Sequence, residues 1–135
     1  PAVREERYLD VAEEALARGD AAGAQKLAMQ VLNNRNTTED QGRAMFILAR
    51  AAALQGDISA ARTYFERSIN AAHDPRTLAW SHIYLARILD LQEDRNAALG
   101  HYRSALAAGD PTPDTKTAAE KGLAAPYQSA ARAPR

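Results

Sequence analysis

Apolar residues recur along this chain with the three-to-four-residue rhythm of helices rather than the alternation of strands. Ala44, Ile47, Leu48, Ala51, Ala52 and Leu54 form one broad stripe. After Gly56-Asp57, the set Ile58, Ala61, Phe65, Ile69 and Ala72 resumes the i, i+3/i+4 spacing. Glycine at that turn suits the left-handed residue that ends a helix, and Ser59 or Asn96 is placed to cap the helix that follows. Asp74-Pro75 and Thr112-Pro113 each pair an N-cap side chain with proline at the first helical position. Thr37 or Thr38, followed by Glu39 and Asp40, serves a third helix start through its cap and the helix dipole. The pattern predicts helices over about 3–18, 21–33, 38–55, 58–72, 75–92 and 95–108, then a shorter one over 113–124. No stretch alternates over a strand's length, so no sheet is expected. The tail from Ala125, with Pro126, Ser129 and Pro134, lacks a packing pattern and is expected to be loose.

The stripes also repeat. Gly19-Asp20 recurs as Gly56-Asp57, 37 residues on, and the next step lands on Glu93-Asp94. The same offset carries Ala12 to Ala49 to Ala86, Ala24 to Ala61 to Ala98, and Val11 to Leu48 to Leu85. It also carries Leu9 to Phe46 to Ile83 and Leu32 to Ile69 to Leu106. Columns that hold their chemistry over three copies mark a helical repeat array.

These columns resemble the tetratricopeptide repeat, whose pattern runs aromatic, Leu, small and large on the first helix, then Ala and an aromatic on the second. The second copy offers Met45, Leu48, Ala49 and Ala52, then Ala61 and Phe65; the third offers His82, Leu85, Ala86 and Leu89, then Ala98 and Tyr102. The first is weaker, with Tyr8, Val11, Ala12 and Ala15, then Ala24 and Ala28. The period of 37 exceeds the family's usual 34, the extra residues falling around Asn33–Thr37 and Asn70–Asp74, and Trp80 sits two residues before the family's Trp column. The resemblance implies an all-α, right-handed superhelix of three antiparallel helix pairs plus a capping helix. It implies a single array over 1–125, with repeats about 3–36, 37–73 and 74–110, a cap over 113–124 and a flexible tail over 126–135. The small columns Ala12/Ala49/Ala86 and Ala24/Ala61/Ala98 sit where paired helices approach closely, and a larger side chain there costs about 1–3 kcal/mol through overpacking. Leu48, Phe65, Ile69, Leu85, Tyr102 and Leu106 fill the space farther out. The stretch from Asp74 to Tyr127 is also similar to the C-terminal repeat region of large bacterial proteins, some with a peptidase domain upstream; with the start at Pro1, this implies a piece of something longer.

Composition narrows the function. Lys+Arg and Asp+Glu both number 17, a balance that lacks the basic excess of a nucleic-acid footprint or a polybasic membrane-surface protein. Cysteine is absent, which removes disulfides, zinc-thiolate sites and cysteine nucleophiles. Half of the apolar inventory is alanine, 31 residues, so helices are expected to pack closely without a bulky central core. No run approaches a membrane span and no signal peptide is visible, so a soluble protein is expected, with the choice between bacterial cytoplasm and periplasm left open.

No catalytic constellation emerges, and no cofactor or metal is expected. Seven glycines form no phosphate-cradling loop, and no serine has a nucleophile-elbow context. His82 and His101 lie on the two helices of one repeat and read either as a metal pair or as repeat-face residues in columns that elsewhere hold Met45 and Tyr64. A zinc site asks for at least three ligands, which favours the second reading. Asp110 and Asp114, flanking Thr112-Pro113, read better as helix-start residues than as a paired-acid site. Glu5-Glu6 and Glu13-Glu14 read as a solvated face.

Recognition surface remains. In a stack of helix pairs the first helix of each pair lines the inner side. By family analogy its exposed columns are Glu6/Arg43/Trp80, Leu9/Phe46/Ile83, Glu13/Arg50/Arg87, Leu16/Ala53/Asp90 and Ala17/Leu54/Leu91. The candidate protein-binding groove is Arg43, Phe46, Arg50, Trp80, Ile83, Tyr84, Arg87 and Leu91, with Trp80, Tyr84, Arg87 and Leu91 on one helical face. The competing reading packs Trp80 on the preceding helix and pairs Arg87 with Asp90. The expected ligand is a protein or peptide segment, acidic or carboxylate-ended, with an apolar residue for Trp80; self-association stays open. Relatives that clamp a terminal carboxylate use a Lys/Asn set, and Leu9 and Glu13 at the matching positions do not supply it. The leading function is a non-catalytic interaction module; the alternative is a structural or oligomerisation segment of a larger bacterial enzyme, such as a peptidase, without a ligand groove.

Overall fold

A computed structural model describes residues 2–34 and 38–128, with side chains for residues 7–34 and 40–128. Thr37, Ser129 and Pro134 lie outside the described residues, as do the side chains of Glu5, Glu6, Thr38 and Glu39. Seven helices and no strand occur among the described residues: α1 (Ala2–Ala17), α2 (Ala21–Asn33), α3 (Thr38–Leu54), α4 (Ile58–Ala71), α5 (Pro75–Leu91), α6 (Arg95–Ala107) and α7 (Pro113–Ala124).

The turns inside the pairs are built from two adjacent residues. Gly19 and Gly56 take φ of +82° and +81°, the left-handed conformation that ends a helix, and Glu93 takes φ 63° in the third copy at the cost of its Cβ. The next residue is the N-cap. The Asp20, Asp57 and Asp94 carboxylates accept from the backbone N–H of Gly23, Ala60 and Ala97 at 2.9, 3.1 and 3.3 Å. The caps expected at Ser59 and Asn96 are therefore supplied by the aspartates before them, because an N-cap oxygen must reach an N–H two or three residues ahead. Asp74 caps α5 as expected, accepting from Thr77 N–H at 2.8 Å. Thr112 stands at the N-cap of α7 but its hydroxyl makes no capping bond there.

Helices α1/α2, α3/α4 and α5/α6 pack as pairs, α2 meets α3, α4 meets α5 and α6 meets α7. Inside this chain of neighbours, α1 packs on α3, α3 on α5 and α5 on α7, and among the described residues no contact joins α1 or α2 to α5, α6 or α7. Each pair thus touches only the next, so the elements line up as a row whose first helices share one side. The alanine columns 12/49/86 and 24/61/98 are completely buried at the crossings. Gly42 packs so tightly on Ala72 that a Cβ would strike its backbone. Ser68 donates or accepts with Ser81 at 2.9 Å and bonds Gly42 O at 2.8 Å in the same seam.

One expected filler, Leu106, and one member of a repeat column, Val11, are more exposed than their places in the repeat imply. Leu106 is 39% exposed. Val11 is 37% exposed while Leu48 and Leu85 in its column are 2% exposed. The column faces the preceding helix pair, as Gly122 one step later shows by packing on Tyr102 of α6, and no described helix precedes α1.

Candidate functional site

A hollow of about 680 Å³ opens along the side shared by α1, α3 and α5. Glu13 of α1, Asp40, Arg43, Phe46 and Arg50 of α3, and Arg76, Thr77, Trp80 and Tyr84 of α5 line it, with Asp74 at its rim. Helical spacing explains the set: Arg43, Phe46 and Arg50 at i, i+3, i+7, and Trp80 and Tyr84 at i, i+4, share a face on their helices, while Arg87, one turn beyond Tyr84, is not among the lining residues.

Its floor is aromatic. Phe46 meets Phe65 and Tyr84 edge-on, each at 5.8 Å between ring centroids, Phe65 stacks on Tyr84 at 5.4 Å, and Trp80 leans on Tyr84 at 5.7 Å. The Leu9/Phe46/Ile83 column, expected to be exposed, is buried in all three members. Helices this close turn that column into the seam between neighbouring first helices, so Phe46 reaches the hollow only by its edge and Ile83 belongs to the core. Leu91 is half-buried beyond the hollow.

The arginines fall into two classes. Arg43 is bound to Glu13 at 2.9 Å and Asp10 at 2.7 Å; burial works against its charge, and the two carboxylates outweigh it and hold the cation. Arg76 grips Asp114 through both terminal nitrogens, at 2.9 and 2.7 Å, and also bonds Thr112. The hydrogen bond from Arg76 is the main reason the Asp114 carboxyl is held well below the usual carboxylate range. Asp110 and Asp114 are thus the anchor of a clasp between the start of α5 and the start of α7.

Arg50 and Arg87 differ. Neither has a carboxylate within ion-pair distance among the described residues. Both guanidiniums instead lie over the ring of Tyr84, at 5.3 and 5.4 Å, and Arg87 also faces Trp80 at 6.0 Å and Tyr127 at 5.1 Å. Stacking occupies the face of a guanidinium and leaves its in-plane N–H groups available. The expected shield of Arg87 is absent because Asp90 turns the other way. Its fully buried carboxylate accepts two bonds from Arg95 at 3.0 Å, one from the Tyr102 hydroxyl at 2.9 Å and one from the Tyr127 backbone N–H at 2.9 Å. Burial, reinforced by Asp90, pushes the Tyr102 hydroxyl above its ordinary pKa. The segment after α7 is accordingly seated on α5 as far as Tyr127, where a loose tail was expected.

His82 and His101 meet with their Nδ1 atoms 2.9 Å apart. Burial first, and then its partner's charge, lowers the pKa of His82 to about 4, and burial likewise lowers that of His101. Among the described residues no group of three or more His, Cys, Asp or Glu side chains is placed to hold a metal ion. Sequence reasoning missed Arg76, Thr77 and Asp40 as lining residues; the helical register relative to Trp80 was the available signal, since Arg76 and Thr77 precede it by one turn.

The family model described as a tetratricopeptide repeat-like domain matches residues 5–111. No curated protein matches the chain.

Proposed function

The chain belongs to the tetratricopeptide repeat-like family, and from that premise we propose that it is a non-catalytic interaction module whose hollow receives a segment of another protein. The array is built from about 3–36, 37–73 and 74–110, closed by α7, and winds as a right-handed superhelix whose inner side is the shared face of α1, α3 and α5. One observation carries the reading: Arg50 and Arg87 are held on the Tyr84 ring with no carboxylate partner among the described residues, and Arg50, Tyr84 and Trp80 line an open hollow. Two cations on one ring repel each other unless an anion bridges them, and a carboxylate matches their N–H geometry. The ligand is therefore an acidic or carboxylate-ended segment, with an apolar residue against Trp80 and Tyr84.

The second reading, a structural or oligomerisation segment without a groove of its own, draws on Tyr127, which covers the Arg87 guanidinium from within the chain. The unfilled space between Arg43 and Tyr84 favours the first. The test is fluorescence anisotropy with a labelled acidic peptide carrying one phenylalanine and a free carboxy terminus. Arg50→Ala/Arg87→Ala should weaken binding about tenfold or more, and Arg103→Ala, on the exposed side of α6, should not. Binding of the parent should weaken as salt is raised. Equal affinities in both variants would move the function off this face.

A further inference from the structure

The segment after α7 meets the inner side in a way that a loose chain end does not. Ala125 is fully extended, with φ −157° and ψ 148°, and two residues later the backbone N–H of Tyr127 donates to the Asp90 carboxylate at 2.9 Å. The Tyr127 ring lies against the Arg87 guanidinium at 5.1 Å, on a cation that also contacts Trp80 and Tyr84. One buried carboxylate reading a main-chain N–H and one stacked guanidinium reading a ring make a built seat for an aromatic residue in an extended chain. We propose that residues 125–127 are an intramolecular occupant of this seat, and that an extended partner segment carrying an aromatic residue binds the Asp90–Arg87 end of the groove by displacing Tyr127.

The seat tolerates being vacated. When Tyr127 leaves, Asp90 keeps both bonds from Arg95 and the one from the Tyr102 hydroxyl, so no bare charge is left in the interior. Arg87 keeps Trp80 and Tyr84. What the occupant forfeits is a single main-chain hydrogen bond and a single ring contact, both of which an incoming segment replaces in kind. Tyr127 is itself 37% exposed, so its ring is reachable from solvent. The tether keeps the native occupant at an effective concentration of order millimolar, which a modest ligand can overcome. The proposal rests on the inner side being a ligand face but not on the acidic ligand.

The probe is the chain's own seating sequence, a labelled, end-blocked peptide of residues 122–128, Gly-Leu-Ala-Ala-Pro-Tyr-Gln, titrated to about 2 mM into the full chain, isotopically labelled for NMR. Tyr127→Ala should bind it at least about threefold more tightly than the parent, since the seat is then empty. Tyr127→Phe should behave like the parent, and adding Arg87→Ala to Tyr127→Ala should abolish the shifts at Asp90 and Tyr84. A peptide with alanine for tyrosine should not bind. Equal affinity for the parent and Tyr127→Ala, or no shifts in Tyr127→Ala at the highest concentration, overturns the proposal. Failure of the acidic probe alone, with this peptide still binding, removes the acidic-ligand reading and leaves the seat standing.

Discussion

Gly122 and Gly100 are both helical glycines, but their surroundings are opposite. A Cβ built on Gly122 would strike one edge of the Tyr102 ring, which is pinned by its hydroxyl bond to Asp90 and cannot step aside. A Cβ on Gly100 meets nothing within 4 Å. Gly122→Ala should therefore destabilise by about 1–3 kcal/mol through overpacking, and Gly100→Ala should stabilise by about 0.5–1 kcal/mol by restricting the unfolded chain. Thermal melts of the two single variants check both signs; Gly122→Ala melting at the parent temperature would show that α7 does not press on Tyr102. At this scale the sequence was legible where a side chain acts on its own backbone: Gly-Asp announced a turn, and Asp74-Pro75 a helix start. The Asp rather than the following Ser or Asn proved to be the cap, since the geometry of reach was decided by where φ turned positive. What was not legible was Asp90. Its i, i+3 spacing from Arg87 invited an ion pair, but its partners come from α6 and from residue 127, and no local rule points to them.

Helix boundaries were legible almost to the residue because alanine leaves few alternatives to helix, and the breaks are marked by Gly-Asp, Asp-Pro and Thr-Pro. Faces were less so. The Leu9/Phe46/Ile83 column was expected on the groove surface and is instead the seam between first helices, because periodicity fixes which residues share a stripe and not how far a neighbouring helix intrudes on it. The meeting of His82 on α5 with His101 on α6 has a consequence for that pair of helices. The native pair resists protonation, His82 down to about pH 4 against an ordinary value of 6.5, with burial as the larger cause. Burial does the same for His101, opposed in part by the Glu66 charge and helped to a smaller extent by that of Arg62. Between those values the unfolded chain binds more protons than the folded one, so stability falls as pH drops from about 6.5 to 4 and is regained as pH rises. The melting temperature should follow that slope, and His82→Gln/His101→Gln should flatten it. Asp110 and Asp114, held below the ordinary 3.8, lose their contributions only below that window, which keeps the two effects apart. A slope unchanged in the double variant would assign it to other groups.

Among the described residues each helix pair touches only its neighbours, so stability is a sum of local interfaces and the ends matter most. Helix α7 is the lid on the last interface. Ala119 and Gly122 are buried against the third pair while Lys116, Glu120 and Lys121 face solvent, the half-polar face a terminal element needs. Arg76 clasps its start through Asp114, and Arg95 bonds the carbonyls of Gly122 and Leu123 near its end. Removing everything after Gly109 would bare the Tyr102 ring and Leu89, strip Arg76 of both carboxylates and leave Arg95 with Asp90 alone. Leu106 adds less to that loss than a core residue, since it is 39% exposed already. The lost apolar burial amounts to about 2–3 kcal/mol, which lowers the melting temperature of a chain this size by roughly 10 °C. The newly bared aromatic surface should also drive self-association, visible as a rise in apparent mass on analytical ultracentrifugation. A chain ending after Gln128 is the matched control, because it keeps α7 and the seated Tyr127; it should melt with the parent. If the shorter chain also melts with the parent and stays monomeric, α7 is dispensable and the third pair closes the array by itself.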